Sequence, residues 1–332
     1  MGDLGWEGDV LQGIPGNTEF VGYTDKTCTA KVAAIIKDGA LADEIDEGES
    51  GIIVLDRTCF YGEGGGQVGD SGILFGANST FQVLDTKKSV NSHFMHIGEM
   101  KAGMIRVGDE LTAEIDSLRR DSIMRNHSAC HLLQAALREV LGTHVHQSGS
   151  YVDENLCRFD FSHFSAMTSD EIARVENIVN DMILAALPVT VETMSQDEAK
   201  AKGAMALFGE KYGDAVRVVD MGGRSIELCG GTHVDNTSRV GLFKIVKESS
   251  IAAGVRRIEA VTGRGVLGLI DADRHLMDMA CEALKVGSHA ELPGKAAAVA
   301  AELKAKDKEI EEINGKLASM QTQALANTAV EV

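Results

Sequence analysis

The 332 residues carry 44% hydrophobic and 25% charged side chains, the balance of a soluble globular chain of two or three domains. A net charge of −18 argues against a protein that coats nucleic acid non-specifically, because phosphate contacts need Lys and Arg, though local basic sites remain open. There is no long apolar run, "MGDLGWEGDV" has neither signal-peptide nor myristoylation features, and the six scattered cysteines form no CxxC. Reduced thiols, no membrane span and a cytoplasmic location are the expectations.

The first 115 residues read as β-rich. "CTAKVAAII", "GIIVLD", "GILF" and "FQVLD" are apolar runs of strand length bounded by Asp, Gly and turn-forming residues, which predicts a small barrel or sandwich. Gly-rich "YGEGGGQVGDSG" interrupts them. From Ser117 the period becomes helical, with Ile123, Leu133, Leu137 and Val140 near one face and Gly142 as a stop. A second helix follows Thr168, which with Glu171 forms a capping box; Ile172, Val175, Val179 and Met182 line its face, and Pro188 follows its end. "AVRVVDMGGRSIELC" reads as a hairpin through Gly222 and Gly223, and "VGLFKIV" and "GVRRIEAVTG" as further strands. The fold class is therefore α+β, with boundaries at 1–115, 116–263 and 264–332. The last segment carries Ala296, Val299, Leu303, Ile310, Ile313, Leu317 and Met320 on a heptad seam broken by Lys306, a pattern for pairing in a homodimer or with a returning helix.

Two pairs of soft side chains carry the chemistry. His127 and His131 in "HSACH" stand four apart on the first helix, so both imidazoles leave one face. Cys229 and His233 in "CGGTH" flank two glycines able to fold the backbone back on itself. Each pair alone is a weak signal; together, three His and one Cys form a set that suits Zn2+ far better than Mg2+ or Ca2+. In "RFDFSH", Arg158 and Asp160 alternate with Phe159 and Phe161, and a buried acid there could hold the second nitrogen of a ligand histidine. Arg119, Arg120 and Arg125, with Arg256 and Arg257, are either a local basic site or solvated surface charge.

"HSACHLL", "CGGTH", "FYGEGGGQVGD", "LGTHVHQSGS", "RFDFSH", "ALFGEKYGD" and "GVRRIEAVTG", in their order here, resemble the editing domain of alanyl-tRNA synthetase over residues 18–263, with the start of that enzyme's C-terminal region after it. The family's free-standing editing proteins share the same core. The resemblance implies a β-barrel-like subdomain, a zinc-containing α+β editing domain, and hydrolysis of the ester in Ser-tRNA(Ala) and Gly-tRNA(Ala) at the aminoacyl end of the tRNA. No region reads as the ATP-dependent aminoacylation core. The expectation is a fragment or a free-standing editor that deacylates; the alternatives are a non-catalytic, zinc-stabilised tRNA-binding module and a scaffold pairing through its heptads.

This sequence departs from the family's T-P-F-Y-x-E-S-G-G-Q in Cys59 for Pro and Gly64 for Ser, and has Cys130 where Thr is common before the second His. Cys130 points about 100° round the helix from His131, which predicts a packing role. Gln67 stays in place, and the resemblance makes it a candidate for contacting the aminoacyl end. Thr232 and Gln67 are the polar side chains nearest the motifs that could bond a serine hydroxyl. With no nucleophile triad visible by spacing, direct attack by water on the ester is the expected mechanism.

Overall fold

The computed structural model describes residues 16–89, 92–205 and 215–328, with Val10, Ile14 and Gly213 besides. Most of the N-terminal stretch read for targeting signals, and of the "ALFGEKYGD" segment, lies outside the described residues. The chain divides into two units, Met1–Val266 and Leu267–Val332.

The first unit begins with a sheet that closes on itself. Its strands are β1 (Thr27–Lys37), β2 (Ala40–Ala42), β3 (Ser50–Leu55), β4 (Gly72–Phe75), β5 (Thr80–Lys88), β6 (Phe94–Ala102) and β7 (Glu110–Ile115). The hydrogen-bonded order is β7-β4-β5-β6-β3-β1-β2, and β7 also pairs with β1, so six antiparallel strands form a ring with β2 as a spur. Closure leaves those strands no open edge. The interior follows from alternation: Val32, Ile35, Ile53, Leu55, Leu74, Phe81, Val83, Met100 and Leu111 point inward and are buried. The sequence left barrel and sandwich open; the extra β7–β1 ladder makes it a barrel.

His96 on β6 is fully buried between Thr58 Oγ1, 2.7 Å from its Nε2, and the Ile53 carbonyl, 2.8 Å from its Nδ1. Burial pushes its pKa down to about 4, since the charged imidazole would lose its hydration there. The unfolded chain, with an ordinary imidazole near 6.5, binds the proton more readily, so this contribution to stability is complete above about pH 6.5 and is lost as pH falls towards 4. The difference is on the order of 3 kcal/mol. Urea titrations from pH 7 to 4 should show that slope in the wild type and lack it in His96→Asn; equal slopes would refute the assignment.

The rest of the unit packs two helices on a second sheet. Helix α1 (Ser117–Leu141) starts at Asp116, whose carboxylate accepts the Arg119 N–H, and stops at Gly142. Helix α2 (Ser169–Leu184) has the expected Thr168–Glu171 capping box. Strands β8 (Gln147–Val152) and β9 (Cys157–Ser162) form a hairpin where the sequence suggested a single alternating strand. The turn at Asp153–Leu156 accounts for the difference, because the Asp153 side chain accepts the N–H groups of Asn155 and Leu156. A small sheet holds β10 (Val189–Ser195), β11 (Ala215–Met221) and β12 (Ile226–Leu228), the last two being the expected hairpin, and β10 runs beside the short helix α3 (Gln196–Ala201). Strands β13 (Phe243–Ala252) and β14 (Val255–Thr262) complete the main sheet in the order β8-β9-β14-β13. Phe159, Phe161, Ile258 and Ala260 on it meet Leu133, Leu137, Val175 and Val179 of the helices in one core.

The arginines are absorbed into the structure. Arg120 is buried, bonds the Gly22 and Cys59 carbonyls at 2.7 and 3.1 Å, and pairs with Asp70. Arg119 pairs with Glu154, Arg256 with Glu248 and Arg257 with Asp160. Arg125 donates to the Ser122 hydroxyl and pairs with no carboxylate among the described residues, and Asp160, expected to hold a ligand histidine, is occupied by Arg257 at 2.7 and 2.8 Å.

Helix α4 (Arg264–Leu284) leads into the second unit, most of which is helix α5 (Leu292–Thr328), whose seam residues from Val299 to Met320 are exposed. No helix among the described residues is long and apolar enough to cross a membrane.

Candidate metal centre

The two halves of the motif meet. His127, His131, Cys229 and His233 bring one donor atom each to within 4.8 Å of one another. His127 and His131 reach the point from α1, Cys229 from the end of β12, and His233 after the glycine turn. Cys229 Sγ lies 3.5 Å from His127 Nε2 and 3.3 Å from His233 Nε2. Around a tetrahedral Zn2+, N···S edges are about 3.6 Å, as Zn–N and Zn–S lengths require. The donor set and these two edges fit the ion.

Two of the imidazoles are hydrogen-bonded through their other nitrogen, and the third has a carboxylate beside it. His127 Nδ1 donates to Gln67 Oε1 at 2.7 Å, His233 Nδ1 lies 3.2 Å from Ser128 Oγ, and His131 Nδ1 lies 3.1 Å from Glu227 Oε2, off full hydrogen-bond alignment. Such partners set the ring orientation and leave Nε2 facing the common point. Electrostatics follow the same grouping. Burial pushes the Cys229 thiol up, but the imidazoles of His127 and His233 and hydrogen bonds from His127 and His131 overcome it and hold the thiol well below its usual range. Burial pulls His233 down to about 3; His131 is also pulled down by burial, but Glu227 and Cys229 outweigh this and raise it to about 10.

The turn carrying Cys229 is clamped. Arg217 donates to the Cys229 and Gly231 carbonyls, both at 2.8 Å, and the Tyr23 hydroxyl donates to the Gly230 carbonyl at 2.7 Å. Gly231 is required by close approach: a Cβ there would stand 2.1 Å from His127 Cε1 and 2.9 Å from Gln67 Oε1.

Gln67 and Thr232, expected against the substrate, sit behind the ligands. Gln67 is 0% and Thr232 3% exposed. Gln67 Oε1 also accepts the Thr232 N–H at 2.9 Å, and its Nε2 donates to Thr232 Oγ1 at 2.9 Å. Neither lines the cavity of about 590 Å³ that opens over His127, His131 and Cys229. Its polar lining includes Gln147, Ser150, Glu227 and Cys130, while Gly65 and Gly230 leave open space. Cys130 also packs in the core, as expected, with its thiol pushed up by its contact with Cys157 and by burial.

Sequence reasoning missed Ser128, Arg217 and Glu227. Two of these had a signal: Glu227 is two residues before Cys229, hence on the same side of an extended segment, and the hairpin register about Gly222–Gly223 places Arg217 beside Cys229.

Comparison with known proteins decides the family. Residues 6–119, mostly the barrel, match the family of class II (A) tRNA synthetases, and residues 216–259, from β11 to β14 with the Cys229–His233 turn, match the threonyl and alanyl tRNA synthetase second additional domain. Alanine–tRNA ligases are similar along nearly the whole chain: that of Methylobacillus flagellatus is 51% identical over 95% of this chain and 36% of its own length. That of Acetivibrio thermocellus is 48% identical over the same shares, and that of Bacillus subtilis 44% identical over 100% of this chain and 38% of its own. The chain belongs to the alanyl-tRNA synthetase family. It spans little more than a third of the length of these relatives.

Proposed function

We propose that the chain hydrolyses the ester of mischarged Ser-tRNA(Ala) and Gly-tRNA(Ala) at the cavity over the His127–His131–Cys229–His233 cluster, with Zn2+ as the resident metal. The observation that carries this reading is a ligand set with three oriented imidazoles at the floor of an open cavity, in a family whose members are named for charging tRNA with alanine. A synthetic pocket sized for alanine rejects glycine and serine poorly, so the family needs a second, hydrolytic site.

The chain's own residues build that site in layers. Gln67, Ser128 and Glu227 fix the imidazoles, Arg217 and Tyr23 hold the turn, and the glycines at 65 and 230 admit the aminoacyl end. Gln67 and Thr232 act on the reaction by positioning His127 and the turn; Gln147 and Ser150 are the polar groups in reach of an amino-acid side chain. With all four donors engaged, Zn2+ would present a closed shell and contribute positive charge and shape to the cavity floor. Water is the nucleophile. The division at 1–115, 116–263 and 264–332, and a cytoplasmic location, belong to the same proposal.

Zinc-loaded protein should cleave Ser-tRNA(Ala) and Gly-tRNA(Ala) and spare Ala-tRNA(Ala). Equal cleavage of Ser-tRNA(Ala) and Ala-tRNA(Ala), or no cleavage by folded, zinc-loaded protein, would leave the tRNA-binding module as the reading. The exposed seam on α5 supports pairing with a second copy. Sedimentation should then give a dimer for the full chain and a monomer for a truncation at Gly294; a monomer in both cases would remove that part.

A further inference from the structure

The barrel holds a pair of cysteines that the metal centre does not use. Cys28 lies on β1 in phase with Ala30 and Val32, so its side chain packs inward, and its partner across the ladder is Ala113 on β7. Cys59 follows the short strand Arg57–Thr58, is fully buried, and has its Sγ 3.4 Å from the Ala113 carbonyl oxygen. Both sulfurs thus gather at one residue, and a hydrogen bond joins the two thiols. Both cysteines are free, and Cys28 is only partly buried.

The pair is asymmetric. Hydrogen bonding from the Cys59 thiol holds the Cys28 thiol below its usual range against the opposing effect of burial, and the Arg57 guanidinium adds to it. The same contact and burial push the Cys59 thiol up. A partly accessible, more acidic thiol beside a buried one is the arrangement of an attacking and a resolving cysteine. The other touching pair, Cys130 and Cys157, lacks it: both are buried, and contact and burial push the Cys130 thiol up.

We propose that Cys28 and Cys59 form an oxidation site for hydroperoxides, closing reversibly into a disulfide that staples β1 to the segment entering the glycine-rich loop. The Cys28 thiolate attacks a peroxide oxygen: the S–O bond forms, the O–O bond breaks, and hydroxide, or an alkoxide from an organic peroxide, leaves. Cys59 then attacks the Cys28 sulfur of the resulting sulfenic acid; the S–S bond forms, the S–O bond breaks, and water leaves with the Cys59 proton. Two electrons pass from the sulfur pair to the peroxide. A small dithiol, itself oxidised to a disulfide, returns both thiols by exchange. Two residues on, Tyr61 lines the cavity, so the staple fixes the chain that leads into its wall. None of this depends on the reaction proposed over the metal.

The test treats the full, zinc-loaded chain with hydrogen peroxide and follows free thiols, zinc content and cysteine-linked peptides by mass spectrometry. Wild type should lose two thiols per chain to a single Cys28–Cys59 link before zinc leaves, and dithiothreitol should restore both. The link closes a loop of about 30 residues, which should raise the melting temperature by about 5–10 °C. Cys28→Ser should form no link and lose thiols about tenfold more slowly at the same peroxide concentration. Cys59→Ser, which keeps a donor towards Ala113, should stop at the Cys28 sulfenic acid, trapped there by dimedone. A link between other cysteines, zinc loss ahead of any link, or a Cys28 sulfenic acid that persists in wild type would overturn the proposal. An unchanged melting temperature in the linked protein would remove the staple.

Discussion

Cys229→Ala should release the metal and abolish turnover, with a loss of zinc affinity well beyond the ~10–100-fold typical of losing a ligand's supporting partner. Its sulfur is the hub of the cluster, 3.5 Å from His127 Nε2 and 3.3 Å from His233 Nε2, and the one ligand whose ionised form brings negative charge. Without it, three buried imidazoles face one another with centroids 4.3 to 5.5 Å apart, an arrangement that water or protonation would break open. Because metal binding free energy is coupled to folding, the variant should also melt lower than wild type, and wild type should shift in the same direction when a chelator strips it. Metal analysis and calorimetry on both proteins check this. Full zinc in the variant would remove Cys229 from the ligand set.

Gln67→Ala should weaken zinc about 10–100-fold and lower turnover at limiting metal, with much of the turnover restored by excess zinc. The carbonyl of this amide fixes the His127 tautomer through a 2.7 Å bond and holds the Thr232 N–H at 2.9 Å. The sequence led to the opposite expectation, a side chain that contacts substrate and leaves the metal untouched. Turnover that falls with zinc affinity unchanged would return Gln67 to that role.

The placement of Gln67 shows what kind of information the sequence held. Helical spacing is enough to put His127 and His131 on one face, and Cys229 with His233 needs only a turn that two glycines permit. Both constraints are local, and both were legible, as were the α1 and α2 caps and the Gly222–Gly223 hairpin. The supporting layer is set by contacts between distant segments. Whether the acid near a ligand histidine is Asp160 or Glu227 depends on strand pairing, which sets Arg257 directly across from Asp160, and no period in the chain encodes that. Gln67 lies in a glycine-rich loop that reads as exposed, yet its backbone is bridged to Val152 and its side chain is fully buried. Gly66 permits this packing with a left-handed φ of 82° and a Cα so close to Ser150 that a Cβ would stand 2.4 Å from its hydroxyl.

The bond from Gln67 to Thr232 closes a loop across 165 residues, and that from Cys229 to His127 one across 102. Contacts of such separation form late in folding, since chain entropy is lost before they repay it. During synthesis α1 emerges with two of the four donors, while the other two follow only after the second sheet has begun. A growing chain therefore holds at most half a coordination shell until residue 229 is made, then gains the remainder within five residues, Cys229 to His233. The ligand set is thus complete only after the chain of the barrel and of α1 to α3 has been made.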